Sequence, residues 1–133
     1  MTAKEYLSRY LVAKREIDIL LDQRQQLWEM MTKVTPTLQA DRVQGGKPGK
    51  TEEIRAMYSD LENEIFERYK KMADLMLEVK HAIYGVQNDA QRRVLEYRYI
   101  NGMTFEKIAV KTDYSWRQVC RIHGKALQKI KMS

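Results

Sequence analysis

Residues 104–131, TFEKIAVKTDYSWRQVCRIHGKALQKIK, contain two short amphipathic runs separated at Thr112-Asp113-Tyr114, and their reading decides the fold. Thr104 and Ser115 each precede a run, where a side-chain oxygen can take a backbone N–H of the first turn. Phe105, Ile108 and Ala109 share one side of the first run, and Val119, Ile122, Ala126 and Ile130 share one side of the second. Ala109 is small where the two must cross closely, and Asp113 stands where the turn wants a left-handed residue. Upstream, Asn88-Asp89-Ala90-Gln91 reads as a helix start, a cap with Gln three residues on. Val94, Leu95, Tyr97 or Arg98, and Ile100 carry that helix to a stop at Asn101-Gly102. A supporting helix followed by two short helices across a tight turn makes a helix-turn-helix.

Charge separates this segment from the rest. Of 24 basic and 18 acidic residues in the 133-residue chain, positions 88–133 hold 10 basic and 4 acidic, so the whole net charge of +6 lies there. A neutral segment joined to a basic one implies that the basic part meets a polyanion. Arg117, Arg121, Lys125 and Lys129 recur every fourth residue on the last helix, read as 115–131, and no acidic residue stands between Tyr114 and Lys131. Like charges at that spacing cost helix stability in water; beside phosphates the cost is relieved. In helix-turn-helix docking the first turns of the second helix enter the major groove. That places Ser115, Trp116, Arg117, Gln118 and Arg121 near the bases, Arg suiting guanine and Gln suiting adenine. Lys125 and Lys129, with Thr104, Lys107 and Lys111 of the preceding helix, suit the phosphate backbone. Trp116 has a second reading, as an apolar lid on the turn.

The neutral part reads as two long helices. Tyr6, Tyr10, Ala13, Ile17, Leu20, Arg24, Leu27 and Met31 recur at spacings of four and three, a heptad seam. Ile54, Tyr58, Leu61, Ile65, Arg68, Met72, Leu75, Val79 and Ala82 repeat the pattern. Each helix would be roughly 45 Å long, and the nearest partner for each stripe is the other, in an antiparallel hairpin. Leu7, Leu11, Leu21 and Trp28 widen the first stripe and Tyr69, Met76 and Ile83 the second, which calls for further helices or a second subunit. Arg24 and Arg68 interrupt the seams. Each either snorkels to water or, in an antiparallel register, meets Asp60 and Glu16 respectively.

Between the two helices, residues 44–51, QGGKPGKT, end as a phosphate-binding loop does. The Walker spacing requires Gly at position 44, where Gln44 stands, and a buried strand before it, which no segment supplies. The stretch reads instead as a flexible inter-helix loop near 34–50, following a turn at Val34-Thr35-Pro36, with Thr51 capping the second helix. No nucleotide is expected. Cys120 alone gives no disulfide framework or metal quartet, His81 and His123 fall on different modules, and no catalytic constellation is present. The expectations are no cofactor, no metal and no enzyme. No apolar run reaches a membrane span and no secretory leader is evident, so a cytoplasmic setting is expected. Gly124 inside the last helix marks close approach to another helix or to a DNA backbone.

From Arg93 to Lys131 the chain resembles region 4 of sigma-70 factors, with Lys125-Ala126-Leu127 matching their Lys-Ala-Leu stretch. That resemblance implies duplex DNA as ligand and contact with host RNA polymerase. At the base-reading positions Arg117, Cys120 and Arg121 replace the Glu, Arg and Gln usual in primary sigma factors, which implies another target sequence. The chain has no room for a promoter-melting region. Taken whole, with the MTAKEYL opening, it resembles the RinA-like and ArpU-like phage and prophage regulators of late genes.

The expected architecture is all-α: a long, coiled-coil-like antiparallel hairpin over 1–86, then a three-helix helix-turn-helix over 87–133. The expected function is a sequence-specific, double-stranded-DNA-binding transcriptional regulator acting as a homodimer. The alternatives are an adaptor that binds polymerase or another protein, and a small DNA-packaging subunit.

Overall fold

The computed structural model describes the backbone of residues 1–43 and 49–132, and the side chains of residues 1–33 and 50–132. Five helices and no strand occur among the described residues: α1 Ala3–Val43, α2 Gly49–Tyr84, α3 Asp89–Tyr99, α4 Phe105–Thr112 and α5 Trp116–Gln128. The all-α expectation holds.

α1 is 41 residues long and passes through Pro36, so the helix does not end at Val34-Thr35-Pro36. Leu38, Gln39, Ala40 and Arg42 beyond the proline are strong helix formers, and the chain continues through them. α2 begins at Gly49, which places Thr51 inside its first turn rather than at its cap. The loop expected near 34–50 is therefore shorter than the sequence suggested. Residues 44–48, most of the QGGKPGKT stretch, lie outside the described residues.

The chain divides into two compact units, one of Met1–Lys14 with Lys71–Ser133 and one of Arg15–Lys70. In each, α1 and α2 run antiparallel, because residue numbers along one helix rise as those of its partner fall. In the first unit Arg9 pairs with Glu78 at 2.8 Å. In the second, Glu16 pairs with Arg68 at 2.9 Å, Arg24 with Glu62 at 3.8 Å, and the Trp28 and Tyr58 rings lie 6.1 Å apart. Arg68 thus meets the carboxylate expected, whereas Arg24 meets Glu62, half a turn beyond Asp60. Every seam position named in the two heptad runs is buried or half-buried. Trp28 and Tyr69, by contrast, stay about half exposed.

The first unit carries most of the buried side chains. Tyr6, Leu7 and Tyr10 of α1 pack with Val79 and Ile83 of α2, Val86 of the connector, Leu95 and Tyr99 of α3, and Ala126 of α5. A second cluster, Val94, Ile108 and Val119, holds α3, α4 and α5 to one another. α3 and α5 serve both clusters. The helix-turn-helix is thereby fixed to the ends of the long helices by side chains excluded from water, the Val, Leu and Ile among them each contributing about 1.5–3 kcal/mol of transfer energy.

Candidate nucleic-acid interface

Local chemistry sets the three short helices. Asn88 Oδ1 accepts from the Gln91 N–H at 3.0 Å, Thr104 Oγ1 from Lys107 N–H at 3.2 Å, and Ser115 Oγ from Gln118 N–H at 3.1 Å. Each satisfies a donor that helix geometry leaves without an intrahelical partner. The return half of the capping box at Asn88 is not formed: Gln91 Oε1 is buried without a hydrogen-bond partner among the described residues. Asp113 closes α4 with φ 62° and ψ 18°, the left-handed conformation that the turn into α5 needs. Gly102, with φ 71°, plays the same part between α3 and α4.

Beneath α5 lies a buried polar pair. His123 Nε2 and the Tyr99 hydroxyl are 2.7 Å apart, and the Phe105 ring meets the imidazole edge-on at 4.9 Å. Burial, with Arg98 and then Lys4 adding repulsion, pushes the imidazole down to about 4. Burial also pushes the Tyr99 phenol up to about 12 against the opposing pull of Arg98. Both are neutral at pH 7, so the hydrogen bond joins two uncharged groups. The inward face of α5 is thus Val119, His123 and Ala126, with Ile122 half-buried. Sequence spacing put Val119, Ile122, Ala126 and Ile130 on the inward face and left out both His123 and its partner Tyr99.

Opposite that face, Arg117, Arg121, Gly124 and Gln128 stand at i, i+4, i+7 and i+11, and all four are exposed. A Cβ added at Gly124 would meet nothing within 4 Å among the described residues, so none of their helices approaches it closely. Lys125 flanks the row. α5 ends at Gln128, not near 131: Lys129 is its C-cap, its N–H directed at Ala126 and Leu127 carbonyls in a tightened last turn. Arg117, Arg121, Lys125 and Lys129 form no ion pair with a described carboxylate. Ser115, Trp116 and Gln118 are exposed at the N-terminal end, Trp116 by 52%, which leaves the lid reading weak. Gln128, absent from the sequence reading, shares Arg117's face, a spacing of eleven that could have identified it.

Thr104, Lys107 and Lys111 are exposed on or beside α4. Lys107 and Lys111 border a shallow apolar patch of Met103 and Val110, the latter 81% exposed. Cys120 is half-buried.

A row of unpaired cations on the outer face of the second helix of a capped helix-turn-helix invites comparison with known families. Residues 88–132 match the family model for sigma-70, region 4. No curated protein and no solved structure was found to match the chain. The matched range begins at the Asn88 cap and runs past α5, so it covers all three helices of the region-4-like module and neither long helix. The C-terminal third of the chain is thus a helix-turn-helix similar to sigma-70 region 4, a DNA-binding fold. None of the described helices is long and apolar enough to cross a membrane.

Proposed function

We propose that the protein is a sequence-specific double-stranded-DNA-binding transcriptional regulator of phage or prophage late genes, working in the bacterial cytoplasm by binding rather than catalysis. The observation that carries this reading is the outer face of α5, where Arg117 and Arg121 lie exposed and free of carboxylates on a region-4-like scaffold. Such cations gain from phosphate and guanine contact what they lack within the protein. α5 enters the major groove by its N-terminal turns, with Arg117, Gln118 and Arg121 on base edges. Lys125 and Lys129, with Thr104, Lys107 and Lys111, meet phosphates. Two copies reading adjacent half-sites supply the specificity that one small module lacks, and RNA polymerase is the partner the module's resemblance supports.

Selection of bound fragments from a random duplex pool tests this and yields the site. Arg117→Ala and Arg121→Ala should each cost about 1–3 kcal/mol on the selected site and relax its sequence preference. Lys125→Ala and Lys129→Ala should weaken all duplexes alike and each reduce the salt slope by about one. Absence of duplex binding at low salt would defeat the reading. The patch of half-buried Met103 and exposed Val110 favours a second one, in which α4 presents the module to a protein, polymerase included. Val110→Glu would then abolish polymerase capture and spare any duplex affinity.

A further inference from the structure

Taken by itself, the unit Arg15–Lys70 buries few side chains: Ile17, Leu61 and Ile65 are its buried apolar residues among those described. A pair of helices gains its stability from packing rather than propensity, and three buried side chains supply little. The surface left over is not uniform. One side of the helix pair is already satisfied within the chain, by the Arg24–Glu62 ion pair and the Trp28–Tyr58 ring contact. The other side is an apolar groove floored by Leu27 and Leu61, with Met30 and Met57 on its walls, 48% and 56% exposed.

The rim of that groove is asymmetric. Its α1 edge carries the amides Gln23 and Gln26, and its α2 edge carries the carboxylates Asp60 and Glu64. The side chains of Gln23, Gln26 and Asp60 make no hydrogen bond or ion pair with another described residue. Across a two-fold axis, laying α1 of one copy on α2 of another sets amide donors against carboxylates twice over. Laying α2 on α2 would oppose the carboxylates.

We infer that the groove of Leu27, Met30, Met57 and Leu61 is the homodimer interface, occupied by a second copy in two-fold, α1-on-α2 pairing that completes a four-helix bundle. This deepens the two-copy reading above by giving it a surface. Methionine walls suit such a contact because the unbranched thioether adapts to the facing helix.

Sedimentation of the full chain at micromolar concentration tests it, apart from any DNA measurement, so duplex binding can fail while the interface stands, or the reverse. The wild type sediments as a dimer, and Met30→Glu with Met57→Glu raises its Kd roughly 30-fold or more. Both positions are half-exposed in one chain, so helicity by circular dichroism persists; should it fall, Met57→Glu alone carries the test. Gln26→Lys, facing carboxylates of the other copy, tightens the dimer at low salt, and Phe66→Glu, away from the groove, leaves it intact. A wild-type monomer, a ring-sized oligomer, an unchanged dimer in the methionine variants, or dissociation by Phe66→Glu would each overturn the assignment.

Discussion

The Tyr99 hydroxyl and the His123 ring nitrogen Nε2 meet at 2.7 Å inside the first unit, joining α3 to α5 beneath the exposed basic face. An imidazole held near 4 binds fewer protons folded than unfolded, where its ordinary value is 6.5. Stability from this pair is therefore full above pH 6.5 and lost as pH falls from about 6.5 through 4. His123→Gln keeps a polar partner for Tyr99 without a titrating ring. Urea midpoints across that window should fall with pH in the wild type and be flatter in His123→Gln. The variant should also cost about 1–3 kcal/mol at neutral pH through the altered buried hydrogen bond.

The turn into α5 rests on two residues that act independently. Ser115→Ala removes the acceptor for the Gln118 N–H and should cost about 1 kcal/mol. Asp113→Ile forces a β-branched side chain to φ 62° and should cost at least about 1–2 kcal/mol, whereas Asp113→Gly should be neutral or stabilising. Thermal melts of the three variants check the order; an Asp113→Ile protein as stable as the glycine variant would contradict the turn geometry.

Gly124→Ala separates folding from function. With nothing within 4 Å of a new Cβ, the substitution should stabilise α5 by about 1 kcal/mol. The helix-approach reading of Gly124 therefore has no neighbour among the described residues to support it. If α5 docks closely against a duplex, the same variant should bind DNA more weakly while melting higher. Unchanged affinity would show that the glycine leaves room for nothing.

Arg68 bridges Glu16 and Glu64 with its side chain 42% exposed and that of Glu16 53% exposed. Exposed pairs of this kind contribute little once side-chain entropy and solvent screening are counted. Arg68→Leu should shift the denaturation midpoint by no more than about 1 kcal/mol in either direction and leave the oligomeric state unaltered. A loss of several kcal/mol would mean that the ion pair fixes the register.

The legibility of these features follows their range along the chain. The caps at Asn88, Thr104 and Ser115, the left-handed Asp113 and the row of Arg117 and Arg121 each depend on residues no more than four apart. Their reading from sequence survives in the structure. Signals that depend on their surroundings mislead: Pro36 does not end α1, Thr51 lies inside the first turn of α2 rather than at its cap, and α5 ends at Gln128 rather than near 131.

By itself, then, the sequence determined the helical class, the seam positions, the short-helix caps and the concentration of positive charge in the last third. Periodicity and hydrogen-bonding chemistry act over a few residues and need no knowledge of the fold. Tertiary structure alone decided that His123 turns inward to Tyr99, that Arg24 meets Glu62 rather than Asp60, and that α3 and α5 pack on both α4 and the ends of the long helices. Those outcomes depend on which side chains exclude water together, and residues such as Leu7, Val79, Leu95 and Ala126 come into contact only when the chain has folded.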